Sequence, residues 1–175
     1  MMISTAVNRS YSINTPRYSL DVLDANSAWI IDLRMYISLL GTRALPETFD
    51  ILEHHLPSVL KAECFNQSGL PFETEVRATE VGHLFEHILL EYLCLMTPVP
   101  DGGSIAYEGK TEWDWISNTP GSFLITIGKI SSRQDGFPGA LRRTITLFDL
   151  IIGSRTMPVS DMAPISRYAA LPAPN

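Results

Sequence analysis

The chain has 175 residues, 13 Lys and Arg against 19 Asp and Glu, and a formal net charge of −6. That length supports one domain whose core needs no disulfides, and 45% hydrophobic against 18% charged residues excludes global disorder. The basic residues are scattered, with Arg142-Arg143 the only adjacent pair, which excludes a nucleic-acid binder working by bulk electrostatics.

Other classes fall away as quickly. No run approaches the roughly 18 uninterrupted apolar residues of a membrane span. Met1-Met2-Ile3-Ser4-Thr5 has no basic segment leading into an apolar one, so no signal peptide is read there. Two cysteines, Cys64 and Cys94, are too few for a disulfide framework and suit a reducing compartment. The expectation is a cytoplasmic protein with neither nucleic acid nor membrane as partner.

Residues 1–17 are polar and unpatterned and are expected to form a flexible lead. The single domain is expected over 18–153. Ser19–Leu23 and Ala28–Tyr36 read as strands on either side of an Asp24-Ala25-Asn26-Ser27 turn. Leu45-Pro46-Glu47 opens a helix whose Phe49, Leu52, Leu56 and Leu60 follow a helical period. Pro57 lies inside that pattern and predicts a kink or break. Thr79 is a good N-cap for a second helix running from Glu80 to about Met96. That helix is the most apolar piece of the chain and is expected to be buried on more than one side. A turn at Asp101-Gly102-Gly103, a short strand over Ser104–Tyr107 and a clear strand over Phe123–Ile127 follow. Pro138–Ile152 reads as a last helix, with Leu141, Ile145, Phe148 and Ile152 on one face. Beyond it, Pro158, Pro164, Pro172 and Pro174 predict an extended tail over 154–175. The sum is an α/β (α+β) fold, a small mixed sheet packed against about three helices.

Two of the four histidines fall in one helical turn, His83-Leu84-Phe85-Glu86-His87. This is H-x-x-E-H, the inverted zincin pattern. Residues i and i+4 of a helix project side by side, so His83 and His87 can share one Zn²⁺. Glu86 shares that face and can take a proton from a water that the metal acidifies. The competing reading is a buried His–Glu cluster that only fixes helix packing, since buried polar groups must be paired. For a third ligand, Glu91 continues the stripe. It stands eight residues and about 12 Å of helix rise from His83, which favours a role orienting His87 instead. Glu73, Glu108 and Glu112 are alternatives from neighbouring elements, and the adjacent His54 and His55 read as rim residues. Gly109-Lys110-Thr111 imitates the end of a phosphate-binding loop, but the preceding glycine is misplaced and nucleotide binding is rejected. Cys64 and Cys94 read as structural thiols.

The motif's surroundings resemble a known family. Leu56-Pro57-Ser58 followed by Cys64, then Ala78-Thr79-Glu80-Val81-Gly82-His83-Leu84-Phe85-Glu86-His87-Ile88-Leu89-Leu90-Glu91, is similar to the N-terminal domain of cyanophycin synthetases. There the stretch reads approximately L-P-S…C, then G-T-x-x-G-H-x-x-E-H-x-x-L-E-L-Q. Gly109-Lys110-Thr111 and Pro120-Gly121-Ser122-Phe123 match the family's later G-[KR]-T and P-G segments, and the likeness spans about residues 20–150. This chain departs from the pattern at Ala62, Ala78, Leu93 and Glu112, where the family has His, Gly, Gln and Arg. The ATP-grasp and Mur-ligase-like parts that build the polymer have no counterpart in these residues, so synthesis is not expected.

The resemblance implies zinc-dependent hydrolysis of cyanophycin, a poly-aspartate bearing arginines, or of a related polypeptide. His83 and His87 would hold Zn²⁺ with Glu91 as ligand or outer partner, Glu86 would be the general base, and Lys110 would meet the polymer's free carboxylates. The polymer is the expected partner, with a homodimer left open. Two alternatives stand beside it: a non-catalytic cyanophycin-binding or scaffold domain, and a zinc peptidase acting on ordinary peptides.

Overall fold

A computed structural model describes residues 10–65, 69–97, 105–113, 119–130 and 136–154. It is an α+β fold built on one five-stranded sheet in the order β1-β2-β3-β5-β4. The strands are β1 (Ser10–Asn14), β2 (Tyr18–Asp24), β3 (Ala28–Met35), β4 (Gly109–Glu112) and β5 (Ser122–Gly128). Every pairing is antiparallel, so the sheet is not mixed as expected. Short turns join β1 to β2 and β2 to β3, and a hairpin connection can only give antiparallel neighbours.

One face of the sheet is apolar and covered. Leu20, Val22, Trp29, Ile31, Leu33, Phe123, Ile125 and Ile127 are buried at alternate positions, as a half-covered strand requires. The helices α1 (Thr48–His55), α2 (Phe72–Glu75), α3 (Val81–Met96) and α4 (Phe137–Gly153) supply the other side of the core. Phe137 stacks on Trp29 with ring centroids 4.3 Å apart, and Phe148 meets Tyr18 and Phe85 edge-on. Among the described residues no helix is long and apolar enough to cross a membrane.

Three expectations on the chain's organisation need correction. The lead is not free throughout, because Ser10–Asn14 pairs with Ser19–Leu23 as β1. Only two of its residues, Tyr11 and Ile13, pack against the core, too few for a period-two signal. Residues 105–107 are irregular, and the strand in this region is Gly109–Glu112 instead. Thr79 does not cap α3; the N-cap position is Glu80, with no side-chain bond. The break at Pro57 is seen: α1 ends at His55 and a 3₁₀ turn runs from Pro57 to Lys61. The turn at 101–103 and the tail at 155–175 lie outside the described residues.

Helix α3 is held close to the sheet by a missing side chain. A Cβ on Gly82 would sit 2.4 Å from Cγ and Cδ1 of Phe123, a buried β5 residue. Gly82→Ala must therefore push the helix off the strand or rotate a fixed ring. The expected cost is about 1–3 kcal/mol of stability, read as a lower urea midpoint. An unchanged midpoint would show that α3 is not packed here as described.

Candidate metal centre

Two segments converge on the N-terminal half of α3. Leu40–Thr42 clamps the approach to the helix. Thr42 N–H donates to Thr79 O at 2.8 Å, Thr79 N–H donates to Thr42 Oγ1 at 2.9 Å, and Val81 N–H donates to Leu40 O at 3.0 Å. The Thr79 hydroxyl, released from capping, lies 2.7 Å from His83 Nδ1. The second segment follows the 3₁₀ turn and brings Cys64 Sγ to 3.5 Å from His83 Nε2. His87 Nε2 is 3.1 Å from His83 Nε2, and the His87 ring stacks on Phe72 with centroids 3.8 Å apart.

Cys64, His83 and His87 thus point one ligand atom each into a space where all three lie within 4.8 Å of one another, and this cluster could hold a metal ion. In a tetrahedral zinc site with Zn–N of about 2.0–2.1 Å and Zn–S of about 2.3 Å, N···N separations are about 3.3 Å and N···S about 3.6 Å. The observed 3.1 and 3.5 Å fit that spacing. Were Nδ1 of His83 to carry the proton and donate it to Thr79 Oγ1, the Nε2 lone pair would be left for a cation, the arrangement that outer partners of metal-bound imidazoles enforce. Burial also works against protonation of the two rings. Burial lowers the His83 pKa, against weaker opposing pulls from Glu75 and Glu80; burial, with the neighbouring His83, lowers that of His87 to about 3.

Cys64, read from the sequence as a structural thiol, is thus the third member of a cluster that could hold a metal ion. Its partnership with the motif spans 19 residues and depends on the chain turning back after the 3₁₀ segment, which no local pattern encodes. The resemblance had set Cys64 beside the motif without a role. Glu91 does not join the cluster. Its charge is near enough to Cys94 to add to a rise in that thiol's pKa caused chiefly by burial.

Glu86 is buried on the adjoining strip of α3 and is turned to β4. There its Oε2 accepts a hydrogen bond from Thr111 Oγ1. Burial raises its pKa, and the Thr111 hydroxyl works against that rise. Its other oxygen lies against Gly109, where a Cβ would come within 2.7 Å of Oε1. Lys110 sits on the opposite face of the sheet from Thr111, as alternation along a strand demands, and pairs with Glu112 at 2.7 Å. The structure brings His83, His87 and Cys64 together, sets Glu86 beside them on the helix, and leaves Glu91 and Lys110 apart.

The metal-free cluster has a pH signature. An unfolded imidazole takes a proton near 6.5, whereas His87 in the fold resists until about 3. Between those values the unfolded chain binds more protons, so this residue's contribution to stability falls as pH falls from 6.5. Glu86 acts with the opposite sign, because its raised pKa lets the folded state gain as pH falls through that pKa toward 4.5. With chelator present, stability should drop by about 1–2 kcal/mol between pH 7 and pH 5. His87→Leu should flatten that dependence; an equally steep variant would remove His87 as its source.

No protein-family model matches the chain, and a comparison with curated proteins gives no match.

Proposed function

We propose that this chain is a cytoplasmic zinc-dependent hydrolase that cleaves peptide bonds in the aspartate backbone of cyanophycin or a similar polymer. The observation that carries this is the convergence of Cys64, His83 and His87, whose ligand atoms all lie within 4.8 Å of one another, at the helix that also carries a buried glutamate. Among the described residues only three ligands converge, which leaves a fourth position for water, the pattern of catalytic rather than structural zinc. When bound there, Zn²⁺ would acidify the attacking water and polarise the scissile carbonyl.

The protein's own groups do the rest. Thr79 and Phe72 fix the two imidazole rings. Glu86 accepts the water's proton and returns it to the leaving amide nitrogen, a shuttle favoured by a carboxyl whose pKa burial raises. Thr111 holds one carboxylate oxygen, and the other, beside Gly109, is the one that would carry the proton. The substrate assignment rests on the resemblance to the cyanophycin synthetase N-terminal domain, and an acidic surface suits a polymer with a guanidinium on each unit.

Incubating the zinc-loaded protein with insoluble cyanophycin should release soluble, arginine-bearing products, and chelator should stop the release. The bond from Thr111 to Glu86 also favours a second reading. A glutamate satisfied away from the cluster is what a non-catalytic polymer-binding domain would tolerate, and zinc-loaded protein that binds the polymer without dissolving it would establish that reading.

A further inference from the structure

Strand β4 is an edge of the sheet, and among the described residues only β5 pairs with it. The register settles which of its main-chain groups are used. Gly128 N–H donates to Glu108 O at 2.9 Å, and Gly109 is opposite Ile127. Bonded and non-bonded pairs alternate along an antiparallel ladder. Lys110 and Glu112 therefore exchange bonds with Thr126 and Leu124, while Gly109 and Thr111 turn their N–H and C=O groups away from β5. The other side of β5 agrees: Lys129 N–H donates to Ser27 O and Met35 N–H to Gly121 O, which commits Ile125 and Ile127 to β3.

These outward groups belong to residues packed against Glu86 and Leu90 of α3. Thr111 donates its hydroxyl to Glu86, and the space where Gly109 lacks a Cβ is bounded by Glu86 Oε1 at 2.7 Å and Leu90 Cδ1 at 3.0 Å. Glu86 and Leu90 belong to the same side of α3 as His83 and His87, since residues three and four apart on a helix are neighbours. A chain lying along the outer edge of β4 would run beside that strip.

We propose that the substrate binds as an extended strand added to the edge of β4 that no described strand occupies, its main chain bonded to Gly109 and Thr111, which lays a peptide bond beside Glu86 and the Cys64–His83–His87 cluster. Strand addition draws its affinity from main-chain bonds and leaves alternate side chains free. The substrate class is therefore an unbranched α-peptide backbone whose side chains can be large and uniform. This inference rests on the proposed hydrolase reading for its substrate, but its geometry is separately testable.

Hydrogen exchange resolved by residue provides the test. The probe is a hexa-aspartate carrying arginine on each side chain, added to the full-length Glu86→Gln variant so that it is not consumed. Exchange at Gly109 and Thr111 should slow by about tenfold or more. Lys110 and Glu112, already bonded to β5, should change by less than about twofold. Equal protection of all four amides, or none at millimolar probe, would overturn the proposal. A parallel hydrolysis assay with the unaltered chain separates the two claims. Alternating protection without hydrolysis leaves strand addition standing and removes the enzyme, while hydrolysis without protection does the reverse.

Discussion

Replacing Glu86 by Gln should cut cyanophycin hydrolysis by about 10²–10⁴-fold while the zinc content stays that of the unaltered protein. The amide keeps the size of the carboxylate, and its oxygen can still accept the Thr111 hydroxyl. It cannot accept a proton. Glu86 is absent from the set of converging ligand atoms, so its loss should not empty the site. Soluble arginine-bearing product and metal per chain, measured on the same preparations, separate the two effects. Activity near that of the unaltered chain would take Glu86 out of the reaction.

The second large effect concerns Cys64. Cys64→Ala removes one of three donors and should weaken zinc binding by at least about 10²-fold, to the extent seen for His83→Ala or His87→Ala. Metal analysis after dialysis against a weak chelator reads this directly. If Cys64→Ala retains one zinc per chain while both histidine variants lose it, the cluster is not the three-donor centre described here. Cys94→Ala is the matched control, since this thiol lies outside the cluster.

Much of the frame could be read from hydrophobic periodicity. Strands β2, β3 and β5 and helices α3 and α4 were expected within one or two residues of their observed ends, because each carries a strong apolar pattern. Strand β4, Gly-Lys-Thr-Glu, has no apolar residue. It is a strand because β5 offers it a ladder, and that information lies outside its own four residues. The site divides along the same line. His83, Glu86 and His87 share one helical turn, so their proximity is local. Cys64 arrives through tertiary structure. Glu91 and Lys110 were expected from a shared stripe and from the resemblance, but helix rise carries one away along α3 and strand alternation puts the other on the far face.

The clamp between Thr42 and Thr79 links metal affinity to folding. The hydroxyl that aims the His83 ring stands on a residue whose backbone is fixed by a partner 37 positions earlier. A synthetic copy of the 16-residue helix Val81–Met96 would carry both imidazoles but lack the thiol and the threonine that orients one of them. Such a peptide should bind zinc only weakly, whereas the whole chain, if the cluster takes the metal as proposed, should gain stability in proportion to the logarithm of free metal. Zinc would then report that the first half of the chain has docked, and its scarcity would leave the protein more often open to proteolysis.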